Sequence, residues 1–317
     1  MWRLEVISRF FLALVSTLLL FISGIGVPSA GVILLPLVAQ PVLTFGFRYG
    51  AGWGIAVLLV APLLLVVFAG EELALIYGVL ALMAGLLFAL LGRLRAIELL
   101  VVGVAATMFA LTGALLLYFF GSWPALIQDF RASLNQNFLS AARIHEKIGI
   151  PRDSLDLFME RMPQVIDTML QLLPALVFMS LALVVLVNIL LLCRRFPERR
   201  AQWLAVEKLR EWKGPESTVW ALIACGFALF IPGLEFAQAF AVNILLVIGA
   251  CYFAQGLAVV AYFFHKNNVP RFLRGVTYVL IVFQQIFTLL VAGLGLFDLW
   301  GDFRRLDKSN LTPSQAS

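Results

Sequence analysis

Histidine and cysteine are scarce in this sequence, two of the first and three of the second in 317 residues. A structural zinc site draws four nitrogen or sulfur ligands from short spacings, yet Cys193, Cys225 and Cys251 stand on separate apolar runs with no CxxC pair. They read as packing thiols, and no disulfide framework is expected. His145 falls in a hydrophilic segment and His265 at the end of a late apolar run, which the topology below places on opposite sides of a membrane. No shared metal site is therefore expected, and no cofactor. HExxH, GxSxG and a glycine-rich GKS loop are also missing. Protease, esterase and ATP-hydrolysing chemistry have no residues to stand on, so no catalytic residue is assigned. The chain is read as a non-enzyme, with lipid modification the one activity this argument leaves open.

Charge is scarce too, at 13% of residues, while 62% are hydrophobic; soluble domains hold roughly 25% and 45–50%. The apolar residues come in runs near the ~20 residues that a helix needs to cross a bilayer. They show no period-two alternation, which removes a β-barrel, the other structure that satisfies its backbone in lipid. The expected fold is an all-α, multi-pass helical bundle of about nine spans, near 10–25, 28–46, 51–69, 73–91, 97–120, 164–192, 217–234, 238–264 and 275–297. The first run has no clear small-residue cleavage site and is read as a retained anchor. This divides the chain into a five-span region 1–120, an amphipathic extracytoplasmic insert 121–163, a four-span region 164–300 with a basic loop 193–216, and a polar tail 301–317.

Orientation follows from Lys and Arg, which favour cytoplasmic loops. Nine spans with the amino terminus inside put fifteen of the twenty-three basic residues on that side, and Glu71, Glu72 and Glu235 in outer turns. The insert has one apolar stripe through Phe130, Leu134, Phe138, Ala141 and Ile148, a turn at Gly149–Pro151, and a second stripe at Leu155, Met159 and Met162. It reads as a helical cap on the outer surface or a lid over a vestibule. RRFPERRAQWLAVEKLREWKGPES, residues 194–217, mixes seven bases with Trp203 and Trp212. Either it lies on anionic lipid or it docks a cytoplasmic protein partner. Nucleic acid is not an expected partner; the bilayer is, and so is a small-molecule ligand.

Polar residues inside spans are the better guide to a site, because an unpaired amide is costly in hydrocarbon. Gln40, Asp167, Gln171, Asn188, Gln238, Asn243, Gln255, Gln284 and Gln285 qualify. Each serves either as glue between helices or as part of a lining. Gln40, Gln238, Asn243, Gln255 and Gln284 are the substrate-binding candidates, expected to face one cavity. Pro28, Pro36 and Pro41 interrupt the second run, and broken helices at membrane depth usually border protein or a water-filled cavity. Gly46, Gly50 and Gly54, and Ala81, Gly85 and Ala89, suit close helix approach.

The chain's last motif, GLFDLWGDFRR at 295–305, sets Asp298 and Asp302 one turn apart. On a continuing helix they share a face with Arg305, the first candidate for an ion pair, while Arg304 lies opposite. The carboxylates are read as a structural clasp or as a functional pair. This motif, with LREWKGPESTVWALIACG at 209–226, resembles the YybS-like bacterial membrane proteins of unknown function. The resemblance implies a protein of the bacterial inner membrane. It also implies remote similarity to the substrate-capturing components of energy-coupling-factor transporters, which bind vitamins or metal ions and borrow ATPase subunits from other chains.

Overall fold

The structure is a computed structural model and describes residues 2–147, 152–205 and 209–304. The described residues form helices and turns and contain no strand. The chain divides into two compact units, Met1–Trp203 and Leu204–Ser317, with the boundary inside the basic loop.

The first unit opens with α1 (Trp2–Gly26). The second run is broken, as its prolines require: α2 (Pro28–Leu34), a 3-10 turn Leu35–Leu37, then α3 (Gln40–Tyr49) with Pro41 in its first turn. Single glycines join α3 to α4 (Ala51–Ala69) and α4 to α5 (Glu71–Leu90). Gly50 and Gly70 have φ of 119° and 96°, values that a side chain opposes and glycine accepts. Gly46 and Gly54 let α3 and α4 touch. A Cβ on either would strike the ring of Phe88, in keeping with lipid-embedded packing through small residues.

The rest of this unit is α6 (Ile97–Phe120), α7 (Trp123–Lys147), α8 (Arg152–Arg195) and the short α9 (Arg200–Trp203). Among its described residues the insert holds one separate helix, α7. What was expected as a second short helix is the start of α8, which runs unbroken for 44 residues, about 66 Å. The expected turn at Gly149–Pro151 lies outside the described residues. Arg131 on α7 pairs with Asp167 on α8 at 2.6 Å.

The second unit contains α10 (Thr218–Ala228), α11 (Glu235–Lys266), α12 (Arg271–Phe283) and α13 (Gln285–Gly301). The span expected at 217–234 is corrected here. Its helix has 11 residues, about 16 Å against a hydrocarbon core of ~30 Å, and it ends in a turn containing Pro232 and Gly233. The span expected at 275–297 is bent by 101° between α12 and α13. Gln284 adopts an extended conformation there, and the carbonyl of Ile281 accepts the hydroxyl of Thr288 at 2.5 Å. Among the described residues seven helices are long and apolar enough to cross a membrane, or eight with the bent pair. The fold is an all-α multi-pass bundle, with seven or eight such helices among the described residues where nine were expected. α11 and α13 press together at Gly256 and Gly295, where an added Cβ would run into the carbonyls of Val291 and Tyr252. Ile248, Tyr252 and Leu299 form the core beside this crossing.

Candidate functional site

In the first unit a cavity of about 770 Å³ opens between α1, α3 and α8. Its α1 wall is Arg9, Leu12, Ala13, Ser16 and Leu20, one helical face at spacings of three and four. Gln40, Pro41, Thr44, Phe45 and Arg48 come from the broken second span, and Leu191, Arg194 and Arg195 from the end of α8. The antiparallel course of α1 and α3 sets the gradient. Tyr49 Oη donates to Glu5 Oε1 at 3.1 Å near one end, and Thr17 Oγ1 donates to the carbonyl of Val38 at 2.6 Å near the other. Arg9, Arg48, Arg194 and Arg195 therefore gather at one end of the cavity, with Leu20 and Leu37 at the other.

The broken span stays intact because its loose backbone groups find side chains. Asn188, fully buried on α8, donates from Nδ2 to the carbonyls of Pro36 and Val184, both at 2.8 Å. Gln40 Nε2 donates to Asn188 Oδ1 at 2.8 Å and to its carbonyl at 3.0 Å. A proline break leaves carbonyls without helical donors, and an unsatisfied one in a dry interior is costly. Asn188 and Thr17 answer that need for Pro36 and Val38, and Gln40 is held at the cavity wall as a result.

A different polar cluster occupies the second unit. Asp298 Oδ2 accepts Arg304 Nη2 at 2.7 Å, with both side chains almost wholly buried. Arg304 Nη1 donates to the carbonyls of Arg210 and Trp212 at 2.8 and 2.9 Å. Gln255 links the rest: its Nε2 donates to Asp298 Oδ2 at 3.3 Å, and its Oε1 accepts the Gly214 N–H at 3.1 Å. Asp298 Oδ1 and Arg304 Nε have no hydrogen-bond partner among the described residues. The segment 210–214 is thus stitched to α11 and to the end of α13. LREWKG and DLWGDFR, from the two stretches that carry the family resemblance, are the two halves of one buried joint.

The partner of Asp298 is Arg304, and the reason lies in the backbone. A helical wheel places Arg304 opposite Asp298 only if the helix continues. It stops at Gly301, where Asp302 takes a left-handed conformation (φ 34°, ψ 52°) and its N–H closes on the carbonyl of Asp298. Aspartate tolerates that conformation better than most residues, and the chain folds back so that Arg304 reaches Asp298. Arg305 lies outside the described residues.

The five substrate-binding candidates are divided between the two units. Only Gln40 borders the cavity, and the other four belong to the second unit. Gln238, Asn243 and Gln255 are strung along about 26 Å of α11. Gln238 Nε2 donates to the carbonyls of Leu229 and Ile231 past the end of α10 at 3.3 and 3.0 Å. Asn243 donates to the carbonyl of Ala239, Gln255 serves the joint, and Gln284 is exposed at the bend. Sequence reasoning used the four cavity arginines as markers of sidedness and missed them as a site. Their signal, a basic residue ending each of three runs, does not say that the three ends converge.

No curated protein and no solved structure shows a match to this chain. A single family pattern runs instead from residue 14 to residue 299, taking in the proline-broken second span, the stretch 209–226 and the first five residues of the motif at 295–305. The chain belongs to the DUF2232 family of predicted membrane proteins.

Proposed function

We propose that the protein binds a small solute in the α1–α3–α8 cavity, in the manner of a transporter's substrate-binding component, with the amino terminus on the cytoplasmic side of a bacterial inner membrane. The carrying observation is the cavity of about 770 Å³, within the ~300–1,000 Å³ of small-molecule sites, with Gln40 fixed in its wall. The resemblance to YybS-like proteins, and through them to the substrate-capturing components of energy-coupling-factor transporters, favours the same role. Recruiting a partner through the loop 193–216 is the weaker reading. Trp203 is buried against Phe47 and Phe196, and Trp212 is half-buried, which leaves little aromatic surface to offer. Two measurements test the proposal. Ser16→Cys and Thr44→Cys should react with a membrane-impermeant methanethiosulfonate in inside-out vesicles, and a panel of anions, cations, neutral solutes and detergent-dispersed amphiphiles should contain a member that raises the unfolding temperature and slows that reaction. Unreactive cysteines at both positions would reject the cavity as a binding site.

A further inference from the structure

The cavity's charge is one-sided. Arg9, Arg48, Arg194 and Arg195 line it, and no Asp or Glu does. None of the four has an ion-pair partner among the described residues, and an arginine keeps its charge at any physiological pH. The preference of basic residues for one membrane side accounts for their end of each helix. It does not account for four guanidinium groups from three helices sharing one cavity with the hydroxyls of Ser16 and Thr44 in its wall. Away from this end the lining is mostly apolar, through Leu12, Ala13, Leu191 and Leu37 to Leu20, with Ser16 and Gln40 the polar side chains along it. Leu20 lies eleven positions beyond Arg9 on α1, about 16 Å of depth.

Resting on the binding role proposed above, we infer that the occupant is a phosphate-bearing amphiphile, its phosphate held by the arginines and its apolar body lying along α1 toward Leu20 and Leu37. Guanidinium groups match phosphate oxygens through paired N–H donors, and the apolar depth gives a free phosphate nothing to fill. An acyl chain fills it. A membrane lipid enters sideways, head at the interface and chain in the hydrocarbon, whereas a soluble phosphate compound enters from water.

The test uses the full chain, delipidated in a non-ionic detergent and examined by native mass spectrometry and thermal unfolding with three probes: dioleoylphosphatidylglycerol, dioleoylphosphatidylcholine and inorganic phosphate. Phosphatidylglycerol should be retained and should raise the unfolding temperature more than either other probe. Arg48→Gln with Arg194→Gln should weaken its retention by about tenfold or more, as loss of two charge-assisted contacts implies. Arg93→Gln with Arg143→Gln, which removes two charges outside the cavity, should leave it unchanged. Equal retention of the two lipids, equal loss in the two double variants, or protection by inorganic phosphate alone would each overturn the inference. Reactivity of Ser16→Cys separates the levels: if phosphatidylglycerol fails but the cysteine is reactive and another solute protects it, the lipid is rejected and the binding role stands; an unreactive cysteine in both cavity positions rejects both.

Discussion

The two units meet the same difficulty with different chemistry. Each contains backbone that leaves regular helix in a largely apolar setting and must satisfy the freed groups. The first does so with neutral amides: Asn188 and Gln40 close the proline break, and each bond is of the ordinary amide-to-carbonyl kind. The second uses a full ion pair, Asp298 with Arg304, to hold carbonyls from a segment far away in sequence. Neutral bonds between membrane helices are worth only about 1 kcal/mol apiece, and losing one leaves a modest defect. Removing one member of a buried ion pair strands a charge, which is a different order of cost. The joint should therefore be far less tolerant of single changes than the Asn188–Gln40 latch that closes the proline break.

The sharpest way to break this comparison is at the pair itself. Asp298→Asn, and separately Arg304→Met, should each lower stability by about 3–5 kcal/mol, while the double variant should lose much less than the sum. Thermal unfolding in detergent provides the cycle, and additive losses would show that the two side chains do not act together. Next comes the crossing that carries the joint. Gly295→Val should cost about 1–3 kcal/mol through overpacking against the Tyr252 carbonyl. Gly293→Val, where an added Cβ meets nothing within 4 Å, should be nearly silent, and equal effects would deny that the contact is tight. The latch ranks below. Asn188→Leu should cost about 1–2 kcal/mol, and a loss as large as that of Asp298→Asn would erase the contrast between the units. Smallest of all is the exposed Arg131–Asp167 pair, where Arg131→Ala should cost about 0.2–1 kcal/mol or less and the difference should shrink in high salt.

The breaks themselves were unequally visible in the sequence. Pro36 and Pro41 announce theirs, because a residue without an N–H interrupts a helix wherever it sits. The bend at Gln284 is announced by nothing, since neither proline nor glycine stands at it, and the run 275–297 reads as one continuous span. The run 217–234 reads as a span for a different reason, although Pro232 and Gly233 stand near its end. Mean hydropathy counts apolar residues and does not register that Pro232 and Gly233 turn the chain after an 11-residue helix.

What the sequence determined by itself is the solvent and the secondary structure. Long apolar runs with few charges belong in lipid, and in lipid only helices or a closed barrel can satisfy the backbone. It also marked the residues that matter, since Gln40, Asn188, Gln255 and Asp298 are each conspicuous as polar groups in or at the end of apolar runs. Their partners were decided only in three dimensions. A helical wheel extrapolates a period of 3.6 residues and assigns Asp298 to whichever arginine lies on its face; the left-handed turn at Asp302 ends that period and brings Arg304 onto Asp298. Arg9, Arg48 and Arg194 are likewise separated by tens of residues along the chain and by different helices, and a local pattern carries no information about distance between helices. They line one cavity because α1 and α3 run antiparallel and α8 packs beside them, which is a property of tertiary packing alone.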